Sequence, residues 1–63
     1  MNNFSEEFKH LRQELGLSQQ KLGELLEISR NTIRDWELEN RTPPAYVQKL
    51  LIEKLQSMLK KNK

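Results

Sequence analysis

Packing is the only force that can hold this chain in a fold. It has no cysteine for a disulfide or thiolate site, and its single histidine, His10, leaves no structural zinc site to assemble, so neither a metal nor any other cofactor is expected. In a chain of 63 residues that constraint is severe, because a protein of this size hides only about 60% of the surface that its unfolded form exposes. One domain covering residues 1–63 is the expectation, with no room for a large active-site cleft. Leucine and charge dominate and there are only two glycines and two prolines, a composition that favours helices. A cysteine-free chain is at home in a reducing cytosol, so a cytoplasmic location is expected. No apolar run approaches the roughly 18 residues that cross a bilayer. The start Met1-Asn2-Asn3-Phe4 has neither the basic end nor the apolar segment of an export signal, so no membrane partner is expected.

Charge is unevenly spread. Residues 1–40 hold five Lys/Arg against eight Asp/Glu, a net −3, and residues 41–63 hold six against one, a net +5, which sum to the overall +2. A basic last third permits a polyanionic partner, although a total of +2 does not argue for one unaided.

Phe4, Phe8, Leu11 and Leu15 fall at i, i+4, i+7 and i+11, one stripe of a first helix over about residues 5–15. Ser5 is its candidate cap, Glu6 and Glu7 lie in the first turn where the helix dipole favours acids, and Gly16 ends it. Ser18 opens a second helix over 19–26 that carries Leu22, Leu25 and Leu26, and Ser29 opens a third over 30–38 that carries Ile33 and Trp36. Helices this short are marginal alone and exist only by packing on their neighbours. The segment from Glu39 to Pro44 is the clearest loop, because Thr42 and Pro43 each precede a proline and are pushed out of the helical region. Pro44 suits a first helical position, and a long final helix over 44–61 follows, with Val47, Leu50, Leu51, Leu55 and Met58 expected inward. Asn62 and Lys63 are expected to fray. The fold class is therefore all-α: a compact domain of four helices, five at most, with a long last one.

A capped short helix, a tight turn and a second short helix make the frame of a helix-turn-helix. With Ile33 and Trp36 buried, Arg30, Asn31, Arg34 and Asp35 remain for the outer face of the third helix. A helix about 10 Å across, standing clear of its domain, enters a DNA major groove about 12 Å wide, and it needs hydrogen-bond donors near its amino end. Two arginines and an asparagine supply them.

Leu17-Ser18-Gln19-Gln20-Lys21-Leu22, Ile28-Ser29-Arg30-Asn31-Thr32-Ile33, Trp36-Glu37 and Arg41-Thr42-Pro43 stand in the order and spacing of the landmarks of the Cro/lambda-repressor (XRE-type) helix-turn-helix family. The chain resembles that family from about Phe8 to Leu55, and over Trp36 to Leu55 it is most similar to the small antitoxin regulators of toxin-antitoxin pairs. The resemblance implies a double-stranded DNA partner and a lambda-repressor-like domain. Arg30, Asn31, Arg34 and Asp35 would then face base edges. Arginine pairs best with guanine and asparagine with adenine, each good pair contributing roughly 1 to 3 kcal/mol of discrimination, while Asp35 accepts from cytosine but repels phosphate. By the same analogy Gln19, Ser29 and Thr32, with Asn40, Arg41 and Thr42 beyond, would hold the DNA backbone. The resemblance also implies a partly buried salt bridge between Arg12 and Glu37, against the alternative of a solvated acid.

Three departures bear on this. Gly23 stands where the family usually has a small residue such as alanine, at the contact of the two helices. Glu27 and Glu39 stand where it often has glycine, and a non-glycine residue at positive φ costs on the order of 1 kcal/mol or more. Either those turns differ here, or they are strained, with Asn40 able to take over the second one shifted by a residue.

Simpler roles compete for several residues. Trp36 is either a core residue or an exposed recognition aromatic, and its spacing from Ile33 favours the core. His10 has no metal-binding companion and reads as a surface residue. The terminal Lys60, Lys61 and Lys63 are explained by the helix dipole as readily as by phosphate contact. On a helical wheel the apolar residues of the last helix spread over about 200°, whereas one small core needs little more than about 100°. The surplus, Ile52, Leu55 and Leu59, is the expected surface of a homodimer that spaces two recognition helices about one DNA turn apart for a palindromic operator. A monomer with a wrapped helix, or a different partner protein such as a toxin, is the alternative. Four serines and one histidine give no nucleophile with its base and orienting group, and there is no glycine-rich phosphate loop, so no enzyme is expected. The expected function is that of a dimeric transcriptional regulator, a repressor where its operator overlaps a promoter.

Overall fold

Each helix contributes one side chain to a fully buried centre: Phe8, Leu22, Ile33 and Leu55. The helices are α1 (Phe4–Glu14), α2 (Gln19–Leu26), α3 (Arg30–Glu37) and α4 (Ala45–Lys61), in a computed structural model that describes residues 3–61. The expected fraying of Asn62 and Lys63 lies outside the described residues. Phe4, Leu11 and Leu51 extend the core, and half-buried Trp36 closes one side of it. The indole meets Phe8 edge-on at 5.8 Å and Phe4 at 6.2 Å, so it is a packing residue and not an exposed recognition aromatic. Burying each large apolar side chain contributes about 1.5 to 3 kcal/mol, which makes this small cluster the main source of stability.

Two helix starts follow the expected serines. Ser18 Oγ accepts from the Lys21 amide at 3.0 Å, and Ser29 Oγ accepts from the Thr32 amide at 3.2 Å. The first helix begins differently. Asn3, not Ser5, is its cap, accepting from the Glu6 amide through Oδ1. Starting one residue earlier puts Phe4 in helical register above Phe8, where the two rings stack at 5.2 Å. Ser5 is then buried within the first turn, its hydroxyl 2.9 Å from Asn3 Oδ1 and 3.0 Å from Glu39 Oε2.

The ends of α1, α2 and α3 share one geometry, in which a residue of left-handed backbone lets the chain reverse. In α1 that residue is Gly16 (φ +72), with the Leu17 amide donating to the Arg12 carbonyl and the Gly16 amide to Gln13. In α2 and α3 it is Glu27 (φ 60) and Glu39 (φ 66). Both glutamates therefore carry the strain that glycine avoids, and the shift of the second turn to Asn40 does not occur. The Glu39 side chain offsets its strain by accepting from Ser5 at 3.0 Å and from Asn3 Nδ2 at 3.3 Å, which ties the start of α1 to the end of α3. Glu27 is exposed and its side chain makes no such bond among the described residues.

The last helix lies along α1, and this placement corrects the expected division of its faces. Leu51 and Leu55 form the centre of its inward stripe, Val47 and Met58 continue it, and Ile52 and Leu59 are half-buried beside it against the core. Leu55 at 0% exposure is unavailable to any partner, so the expected dimer surface of Ile52, Leu55 and Leu59 is not a free one. Leu50, expected inward, is 60% exposed because it stands about 100° round the helix from Leu51. Leu25, on α2, is also exposed. Pro44 sits just before α4 and its carbonyl accepts from the Gln48 amide at 2.9 Å, so its missing N–H costs nothing.

The two strained glutamates should respond differently to glycine. Glu27→Gly is expected to stabilise the domain by up to about 1 kcal/mol. Glu39→Gly relieves the same strain but removes two hydrogen bonds, each contributing about 0.5 to 1.5 kcal/mol, and should be neutral or destabilising. Urea unfolding followed by circular dichroism checks this, and equal gains at both positions would mean that the Glu39 carboxylate contributes nothing.

Candidate nucleic-acid interface

The close crossing of α2 and α3 begins with a missing side chain. A Cβ on Gly23 would lie 2.4 Å from the Ile28 carbonyl oxygen and 3.4 Å from Ile33 Cδ1, so the turn can fold back this tightly only over glycine. Ile28 closes that turn, its amide donating to the Gly23 carbonyl at 2.9 Å. Ile33 is buried against the core, and the opposite face of α3 is turned out.

Arg30, Asn31 and Arg34 are all exposed on that outer face. Spacings of three and four residues put them side by side along the helix. None of them enters the ion pairs formed among the described residues. The principal packing partners of α3 are α1 and α2, while α4 packs on α1, so the carboxy-terminal helix does not roof over the outer face.

The orientation of α3 is set by a buried ion pair. Arg12 Nε donates to Glu37 Oε2 at 2.7 Å and Nη2 to Oε1 at 3.0 Å, with the two side chains only 12% and 4% exposed. Arg12 Nη1 also donates to the Leu17 carbonyl at 2.8 Å, and Gln19 Nε2 donates to Glu37 Oε1 at 3.1 Å. Glu37 is thus not a solvated acid. Arg12 from α1, the α1–α2 turn, the start of α2 and the end of α3 converge on one fork-to-fork contact, and no buried side-chain nitrogen or oxygen among the described residues is left without a partner.

That network also takes in Gln19, whose side chain is half-buried and whose amide nitrogen donates to Glu37. Asp35 likewise meets a neighbouring segment. It is half-buried, its carboxylate lies 3.8 Å from Arg41 Nε, and its backbone carbonyl accepts from the amides of Asn40 and Arg41. Asn40, Arg41 and Thr42 are exposed in the loop beyond. Ser29 and Thr32 stand at the start of α3 with their hydroxyls 3.0 Å apart, engaged in the helix cap. Exposed His10 pairs with Glu14 at 3.4 Å along its own helix, as a surface histidine would. The contacts that sequence reasoning missed are those of Glu39 with Ser5, Gln19 with Glu37 and Arg41 with Asp35. The only signal for the first was an acid where the turn wants glycine.

Among the described residues no helix is long and apolar enough to cross a membrane. A family model described as helix-turn-helix matches residues 8–59, a span that begins at Phe8 and takes in all of α2 and α3 and most of α4. No curated protein and no solved structure matches the chain.

Removing one member of the buried pair leaves the other charge without a partner, at a cost of about 3 to 5 kcal/mol. A domain of this length has roughly 3 to 9 kcal/mol in total. Arg12→Ala and Glu37→Ala are therefore expected to lose most of their helical signal at 37 °C, whereas Gln19→Ala should cost only about 1 kcal/mol. Thermal melts of the three variants check the order, and a Glu37→Ala melt within a few degrees of the parent would contradict the central role of the pair.

Proposed function

This chain belongs to the Cro/C1-type (XRE) helix-turn-helix family of DNA-binding regulators, and from that premise we propose that it reads a specific duplex sequence with the outer face of α3 in the major groove. The observation that carries the reading is the row of Arg30 and Asn31 at the amino end of α3 and Arg34 one turn on, all exposed, outside every ion pair formed among the described residues and left uncovered by α4. Arginine donors suit guanine O6 and N7, and the asparagine amide suits adenine N6 and N7, so guanine and adenine are the expected bases in each half-site. Arg41, with Asn40 and Thr42, supplies backbone contacts from the loop after α3, and the cap Ser29 with Thr32 in the first turn brings the α3 amino end close to a phosphate.

Binding as a homodimer on an inverted repeat, and repression by excluding polymerase where the operator overlaps a promoter, complete the proposal. Support for pairing comes from the exposed large apolar side chains Leu38, Tyr46 and Leu50, since Leu55 of the expected surface is buried. Two copies related by a two-fold axis would present their α3 helices to successive major-groove faces some 34 to 36 Å apart.

Base reading and backbone contact separate by substitution. After selection of bound duplexes from a random pool, Asn31→Ala should weaken the selected duplex by roughly 1 to 3 kcal/mol and leave a scrambled duplex nearly unchanged. Arg41→Ala should weaken both alike and flatten the salt dependence by about one unit of slope. Equal losses on both duplexes for Asn31→Ala would end the base-reading assignment.

A further inference from the structure

We propose that Asp35 does not read a base but acts as a positioning residue, holding Arg41 so that the far end of its guanidinium is free for one DNA phosphate. The inference rests on the DNA-binding reading above and deepens it. Position 35 fixes the loop twice. Its carbonyl accepts from the Asn40 amide at 2.9 Å and the Arg41 amide at 3.3 Å, which determines where the chain leaves α3. Its carboxylate then lies 3.8 Å from Arg41 Nε.

The choice of atom matters. A guanidinium is a planar fork of five donors, and a carboxylate alongside Nε leaves the two terminal amino groups for a second anion. Burial differs across the pair in the sense this requires: the Asp35 side chain is 24% exposed and that of Arg41 is 71% exposed. The acid is the fixed member and the arginine the presented one. A carboxylate also sits poorly in the last turn of α3, where the helix dipole is negative, and in a groove walled by phosphates. Pairing with Arg41 removes both objections, since the two together carry no net charge. Holding a long side chain ready in advance also lowers the entropy lost when it meets its phosphate.

The test is a double-mutant cycle on the full chain, with binding of a selected and a scrambled duplex followed by fluorescence anisotropy. Asp35→Ala is expected to weaken both duplexes by the same factor, about 3- to 10-fold. Its ratio of selected to scrambled binding should match the parent, reselection should return the same consensus, and the double variant with Arg41→Ala should bind no more weakly than Arg41→Ala alone. A base-reading Asp35 gives the opposite pattern, with a changed preference at one position of the consensus and losses that add in full, and so overturns the proposal. Tighter binding of every duplex by Asp35→Ala overturns it too, because the acid would then only repel. Asp35→Asn keeps the shape while removing the charge, and it carries the same outcomes should circular dichroism show the alanine variant unfolded. A parent that binds selected and scrambled duplexes equally would sink the sequence-reading proposal itself. A discriminating parent with an additive cycle would remove only the role given to Asp35.

Discussion

A single desolvated ion pair sets the geometry on which the rest of this small domain depends. Arg12 and Glu37 join α1 to α3 through two parallel hydrogen bonds, and each has one further partner, the Leu17 carbonyl for Arg12 and the Gln19 amide for Glu37. Buried ion pairs are poor sources of net stability, because desolvation cancels much of the attraction. They are exacting about geometry, however, since a fork-to-fork contact tolerates little rotation of either partner. The hydrophobic centre of Phe8, Leu22, Ile33 and Leu55 supplies the driving force. The ion pair selects, among the ways of packing these four helices, the one that turns Arg30, Asn31 and Arg34 outward.

The helices divide the work accordingly. The long α4 lies along α1 and completes the core, which lets α2 and α3, at eight residues each and too short to stand alone, be held from behind. Because the support comes from one side, the other side of α3 stays open. Gly23 permits the tight α2–α3 crossing, and the two left-handed glutamates end α2 and α3 abruptly, Glu27 within a connection of only residues 27–29. Strain at Glu27 and Glu39 is thus tied to the projection of α3, and Glu39 recovers part of it by anchoring the start of α1.

Much of this was legible in the amino-acid sequence. Ser18 and Ser29 announced their helices because capping depends on a side chain and the amide three residues later. Trp36 and Ile33 were legible as core from their spacing, and the Arg12–Glu37 pair from the family pattern. What remained hidden depends on partners distant in the chain. Periodicity shows that α4 has more apolar surface than one core needs and allows Leu55 either inside or at a partner surface, but only its contact with α1 decides that Leu55 goes in and Leu50 stays out. Backbone preference favoured Asn40 over Glu39 for the left-handed position, yet Ser5 and Asn3, more than 30 residues away, supply the bonds that favour Glu39. Asp35 and Gln19 looked like free groups on a helix face, and each meets a side chain brought in by another segment.

The central claim is that the open face of α3, with the loop after it, is where DNA docks. Amide and side-chain NMR shifts recorded while a selected duplex is titrated into the labelled protein test it most directly. The largest changes are expected at Arg30, Asn31 and Arg34 and in the loop of Asn40, Arg41 and Thr42, with Tyr46 and Leu50 little affected by the nucleic acid itself. Changes concentrated on α4, with the α3 signals unmoved at saturation, would contradict the account.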